Sequence, residues 1–295
     1  MELRSNITDT ALIFEGGGMR GAFTAAIAAV MLKAGIFCDY VIGISAGASN
    51  TANYLSREPE RAKRSFVDFA GDPRFGSWKT WLRGQGYFNA HYIYEETWLP
   101  GGPLPYNFAA FMANPARFRI GAFDAEQGET VYWGREDVAE PIDLMKRVRA
   151  SSSMPLIMPP TILDGRLYVD GALGHGGGIP LATAQRDGFT KFFFIGTRQR
   201  DYIKESEKLD RFFKVFYRKH PAIADGILAR PANYNAAREE LLELERQGQA
   251  LLVYPDQITI TNRTADVAAL QEAYDAGLTQ AHRDLPRWKE FLGLS

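Results

Sequence analysis

Gly43-Ile44-Ser45-Ala46-Gly47 sets a serine between two glycines in the spacing Gly-x-Ser-x-Gly. Small flanking residues let a chain turn sharply, so a hydroxyl held there stands clear of the backbone and open to an electrophile. The start of a helix also favours negative charge developing beside it. A serine helix cap packed between glycines would give the same five residues. To become a nucleophile the hydroxyl needs a base. Asp170 closes the apolar run Leu167-Tyr168-Val169 and precedes Gly171-Ala172, which puts a carboxylate at a strand end. Asp-Gly alone means little, since Asp164-Gly165 reads as an ordinary turn. The histidines are His91, His175, His220 and His282. His175, in a glycine-rich loop just after Asp170, keeps a serine–histidine–aspartate arrangement open; the other three stand among aromatic or charged residues.

A second glycine group, Gly16-Gly17-Gly18-Met19-Arg20-Gly21, stands between an apolar run and an alanine-rich one. Glycine N–H groups at a helix start can hold an oxyanion with no side chain in the way, and Arg20 can add charge or brace the loop. Gly16-x-Gly18-x-x-Gly21 also fits a dinucleotide-binding loop. That loop expects an acid at the end of the second strand. Asp39 has the spacing but precedes that strand, whose end is Gly43-Ile44-Ser45.

The elements that must hold these groups read from apolar runs and their breaks. Ala11–Phe14 and Tyr40–Ile44 read as buried strands, and residues 20–33 and 46–55 as helices. Strand, helix, strand, helix predicts an α/β fold: a mainly parallel central sheet with helices on both faces. Residues 57–117 carry a helix near Glu60–Phe69 and then a loop-rich stretch containing Trp81, Trp98, Gly101 and Pro103, read either as a cap over a site or as a surface loop packed by its own aromatics. Strands follow at 119–123 and 130–133, a helix at 142–150, and two short strands around Asp164-Gly165. Phe192–Ile195 and Leu251–Tyr254 read as further strands, 199–250 as charged helix, and Val267–Gly277 as a last helix. With no linker or repeat, the chain reads as one domain over residues 1–295, its motifs within about 10–185 and a helical part with a late strand in 186–295.

The 295 residues are 46% hydrophobic and 23% charged, with a net charge of −1, which argues against disorder and against a nucleic-acid partner. Cys38 is the only cysteine, and the polar start Met1–Asn6 is unlike a secretory signal. These features predict a soluble, cytoplasmic protein with peripheral membrane contact left open; oligomeric state is not legible.

Taken in order, residues 16–21, 43–47 and 170–172 resemble the motifs of the patatin-like phospholipases of bacteria. Ala150–Pro155 and Ile179-Pro180 add to the likeness, which covers roughly residues 10–185; Ala172 stands where the plant-type pattern has a glycine. The resemblance implies a three-layer sandwich and a Ser45–Asp170 dyad that uses no histidine. It implies an oxyanion hole from Gly16, Gly17, Gly18 and Arg20, with Gly43 and Gly47 shaping the turn. Lipid or phospholipid acyl esters would be cleaved through an acyl-Ser45 intermediate, without metal or cofactor. An ordinary aspartate is a feeble base at neutral pH, so burial or a hydrogen bond must help Asp170. Met154–Pro160 could line an acyl channel or simply fill the core. Arg211–Lys219 mixes bases with aromatics, as a helix resting on an anionic bilayer would, or as a surface helix with one buried stripe.

Overall fold

The computed structural model describes residues 3–294, apart from the side chain of Trp78; Met1 and Glu2, part of the polar start, lie outside the described residues, as does Ser295. The first half runs β1 (Ala11–Phe14), α1 (Gly21–Lys33), β2 (Tyr40–Ile44), α2 (Ala46–Leu55), α3 (Pro59–Phe66), α4 (Trp78–Leu82) and α5 (Phe108–Ala113). There follow β3 (Arg117–Asp124), β4 (Glu129–Trp133), α6 (Pro141–Ser152), β5 (Thr161–Leu163) and β6 (Arg166–Asp170). The chain ends with α7 (Leu181–Arg186), β7 (Phe192–Ile195), α8 (Asp210–Phe216), α9 (Pro221–Arg246), β8 (Ala250–Val253) and α10 (Val267–Phe291).

Five strands lie parallel in the order β3-β2-β1-β7-β8. Their alternation sorts the core into two layers. Leu12, Phe14, Val41, Phe193 and Ile195 face one way, onto Phe23, Ile27 and Met31 of α1 and Trp288 of α10. Ala11, Ile13, Ile42, Phe192 and Phe194 face the other, onto Leu181 of α7 and Tyr234 and Leu241 of α9. This is the three-layer α/β arrangement that the apolar runs predict. Each of the larger side chains here (Leu, Ile, Val, Phe), fully buried, contributes roughly 1.5–3 kcal/mol.

Beyond β3 the sheet turns antiparallel. β4 pairs with Ile120–Asp124 along one edge of β3, so β2 and β6 must share the other. β2 runs parallel to β3 and ends with Ile44 opposite Gly121; β6 runs antiparallel and ends with Asp170 opposite Ala122. The two strands therefore stop head to head. The turn between β5 and β6 is the Asp164-Gly165 pair, both at positive φ (52° and 78°), as a tight hairpin requires.

Residues 57–117 are both of the things the sequence allowed. Phe69 and Phe75 (ring centroids 5.5 Å apart) and Phe75 and Phe88 (5.3 Å) pack on one another and join a core shared with Ala22 and Ala26 of α1 and Leu270 and Tyr274 of α10, and the same segment roofs a cavity described below. The last helix is longer than its apolar pattern predicts: it starts at Val267, where the Asp266 side chain accepts the Ala269 N–H (2.8 Å), and continues past Pro286 to Phe291. Trp288 holds the last turns down; it is 1% exposed and meets the Phe193 ring edge-on at 5.5 Å. Truncating so large a buried ring costs about 3–5 kcal/mol. Trp288→Ala is accordingly expected to lower the midpoint of one cooperative urea transition. A separate early transition, with the rest of the protein unmoved, would show the C-terminal helix to be an independent unit.

Candidate active site

Ser45 occupies the turn from β2 into α2, with φ 58° and ψ −124°, outside the left-handed helical well and costly for a residue with a side chain. Crowding of bare backbone sets that turn. A Cβ on Gly43 would fall 2.2 Å from the Gly47 carbonyl oxygen, and one on Gly47 would fall 2.3 Å from that of Phe14. A serine of α6 holds the turn from the side: Ser45 N–H donates to Ser151 Oγ (2.8 Å), and that hydroxyl donates to the Gly121 carbonyl (2.6 Å).

Asp170 enters from the opposite direction. Its backbone N–H donates to the Ser153 carbonyl (3.0 Å) and its Oδ1 accepts the Ala172 N–H (2.9 Å). Gly171 must be bare, since a Cβ there would stand 2.4 Å from the Gly121 oxygen. The Asp170 carboxyl is only 3% exposed. Burial pushes its pKa above the ordinary aspartate value, while the Arg230 charge, the Ala172 N–H and the nearby Ser45 hydroxyl pull against that rise. The structure thus brings Ser45 and Asp170 together.

The glycine loop lies directly over this junction. A Cβ on Gly16 would be 3.3 Å from Ser45 Cβ. Gly16 itself is a correction to the expected set of donors: its N–H is already spent on the Gly178 carbonyl (3.0 Å). Among the described residues, the N–H groups of Gly17 and Gly18 have no such acceptor and remain for an oxyanion, with Gly18 at φ 56°. Arg20 is buried on the α9 side of the loop, with Glu15, Tyr234, Arg198 and Arg230 as its charged and polar neighbours. It does not line the cavity.

That cavity, of about 100 Å³, opens at Ser45. Met19, Phe66, Phe69, Phe88, Met145 and Met158 are among its apolar walls, and Met154 completes them, so the proline-rich stretch after α6 lines it at both methionines. Tyr94 also lines it. Burial first, then the Asp170 charge, raises its pKa, while the Ser152 and Ser49 hydroxyls pull it down. None of the four histidines lines the cavity; His175 is exposed and faces shallow surface grooves beside Thr130 and Asp225. The dinucleotide reading fails on placement: Asp39 sits at the start of β2, a whole strand away from the glycine loop at its end. Among the described residues no group of three or more His, Cys, Asp and Glu is placed to hold a metal ion, and no helix is long and apolar enough to cross a membrane.

Sequence reasoning missed Ser151, Tyr94 and Arg230. Ser151 sits in a run of three serines with nothing to single it out. Arg230 is one of many charges in α9, and only the packing of that helix brings it to Asp170.

A parallel sheet with a serine on a strand-to-helix turn and a buried aspartate beside it defines a class; comparison with known proteins defines the family. The family model described as patatin-like phospholipase matches residues 12–183. The chain belongs to the patatin-like phospholipase family. A second model, described as a domain of unknown function (DUF6363), matches residues 220–293, which hold α9, β8 and α10. The chain is 27% identical over 196 residues to the uncharacterized protein YjjU of Escherichia coli strain K12; the match takes in 63% of this chain and 51% of YjjU, so the chain spans about half the length of that relative. Among solved structures it is similar to VipD from Legionella pneumophila, at 12% identity and a TM-score of 0.49, over 95% of this chain and 67% of VipD.

If Ser151 holds the turn, Ser151→Ala leaves a buried N–H unpaired, at a cost of about 1–3 kcal/mol. Both the melting temperature and the rate of Ser45 acylation are expected to fall. A variant with unchanged melting and unchanged acylation would mean that the turn does not depend on this clamp.

Proposed function

We propose that the protein is a serine acyl hydrolase of lipid or phospholipid esters working through a Ser45–Asp170 dyad. The observation that carries this reading is the junction itself: β2 and β6 stop on neighbouring residues of one strand, leaving a strained serine against a buried carboxylate. Asp170 takes the hydroxyl proton as Ser45 Oγ bonds to the acyl carbonyl carbon. The Gly17 and Gly18 N–H groups hold the oxyanion. As the tetrahedral intermediate collapses, the bond to the alkoxy oxygen breaks and Asp170 returns the proton to the leaving alcohol. Water repeats the sequence on the acyl-Ser45 ester: Asp170 takes its proton, the hydroxide oxygen bonds to carbon, and the acid leaves as Ser45 regains its proton.

Burial gives Asp170 a base strength that an exposed aspartate lacks, and the methionine- and phenylalanine-lined cavity suits the acyl chain. Residues 186–295 fit as part of the same unit, since β8 completes the sheet beside β7 and Arg230 of α9 bears on Asp170. Contact with an anionic bilayer is supported by the exposed Phe212, Val215 and Phe216 beside Arg211 and Lys214 on α8. A cytoplasmic setting is consistent with the single, buried Cys38.

Hydrolysis of p-nitrophenyl butyrate tests the reading. Ser45→Ala is expected to fall to background and Asp170→Asn to lose on the order of 10³-fold in kcat, while His175→Ala keeps its rate. Turnover surviving in Ser45→Ala would remove the nucleophile, and loss in His175→Ala would restore a histidine triad. The working form of Asp170 is ionised, so kcat/KM must fall as pH drops through its pKa, at a midpoint above that of an ordinary aspartate. Arg230 lowers that pKa, so Arg230→Met should move the acid limb to higher pH; a limb that stays in place would disconnect Arg230 from the base.

A further inference from the structure

Behind the glycine loop, on the α9 side of the sheet, four cations gather against one acid, Glu15, and the faces of Tyr202 and Tyr234, over which Arg198 (4.3 Å from the Tyr202 centroid) and Lys204 (5.2 Å from that of Tyr234) lie. Arg20 is 6% exposed, and its Nε and Nη1 have no hydrogen-bond partner. Arg198, just past the end of β7, has a buried Nε that is likewise unpartnered. Lys204 is half-buried, its backbone fixed to α9 by two bonds with the Asn235 side chain (both 2.9 Å). Arg230 donates from Nε to the Gly177 carbonyl (3.3 Å), in the loop whose next residue accepts the Gly16 N–H.

These groups are close enough to disturb one another. Burial first, then the charges of Arg230, Arg20 and Arg198, push Lys204 down to about 8; burial and then Arg198 push Arg20 down to about 10. The acid facing them is Glu15, with Asp170 beyond Arg230. Glu15 already accepts the Thr197 N–H and, at 2.6 Å, the Tyr234 hydroxyl. No ion pair of the four cations is found among the described residues. Nearby Arg238 shows the contrast: it spends its guanidinium on the carbonyls of Gln199 (2.8 Å) and Arg200 (3.0 Å). Cations crowded to the point of losing basicity, with guanidinium donors unspent, match what a multiply charged, multidentate anion supplies.

We propose that Arg20, Arg198, Lys204 and Arg230 form a phosphate-binding subsite behind the glycine loop, joined to the dyad through the charge of Arg230 on Asp170. The phosphate is either the head group of an ester held at Ser45 or a free phosphate ion. The first source rests on the acyl hydrolase reading; the second does not. A head group here would leave its acyl chain on the cavity side of the loop, so one end of the lipid is gripped by charge and the other by apolar walls.

The test uses Lys204→Gln and the double variant Arg198→Gln/Lys204→Gln, which touch neither the dyad nor the oxyanion donors, each checked by circular dichroism. Calorimetry with inorganic phosphate should show binding to the parent protein that weakens at least about tenfold in the double variant. Kinetics with lysophosphatidate and a monoacylglycerol of the same chain separate the sources. For a head-group site, KM for lysophosphatidate rises at least about tenfold in the double variant, kcat holds, and the monoacylglycerol is unaffected. Phosphate binding that is lost in the variant, with both esters handled alike throughout, assigns the subsite to free phosphate. Phosphate binding with neither ester cleaved by the parent protein keeps the subsite and removes the hydrolase reading. No phosphate binding by the parent protein, together with no preference for lysophosphatidate, overturns the proposal. Should the double variant not fold, Lys204→Gln carries the same readouts, and its binding phosphate as tightly as the parent would count against the site.

Discussion

β2 and β6 approach the same edge of β3 from opposite ends and stop at adjacent residues, opposite Gly121 and Ala122. Two strands cannot share one stretch of edge, so both chains must leave the sheet there. Each leaves through a turn with no room for a side chain at its glycines, Gly43 and Gly47 in one and Gly171 in the other. The residues at the two departures are Ser45 and Asp170. Their meeting is thus a consequence of sheet register, and the helices, the glycine loop and the aromatic roof are all arranged around it.

Burial then acts differently on the two sides of the loop. It removes water from Asp170 and raises its pKa, against the pull of the Arg230 charge and the Ala172 N–H. On the α9 side it crowds like charges together and weakens them as acceptors of a proton. The loop between, held by Gly16 to Gly178, separates an apolar compartment from a cationic one. In the proposed reading, a substrate with an acyl chain and an anionic head meets the one with its chain and the other with its charge.

What the sequence made legible was local. Ala11–Phe14, Tyr40–Ile44 and Phe192–Ile195 are unbroken apolar runs, and a strand buried on both faces has to be one. Ser45 stood out because its glycines neighbour it in the chain. The double role of Gly16–Gly21 could not be divided from sequence, because the acceptor that consumes the Gly16 N–H is Gly178. Ser151, Tyr94 and Arg230 reach the site through packing of α6, the roof and α9, and carry no local mark. The end of α10 was hidden for another reason: Pro286 argues for a break, and it is the burial of Trp288 against Phe193, a tertiary contact, that keeps the helix going.

The central claim is that the strand junction activates Ser45 through Asp170. Treatment of the folded protein with a fluorophosphonate probe, with the adduct located by mass spectrometry, tests it most directly. One modification is expected, on Ser45, absent in Ser45→Ala and strongly slowed in Asp170→Asn. No labelling of a protein shown to be folded, or labelling at full speed in Asp170→Asn, would contradict it.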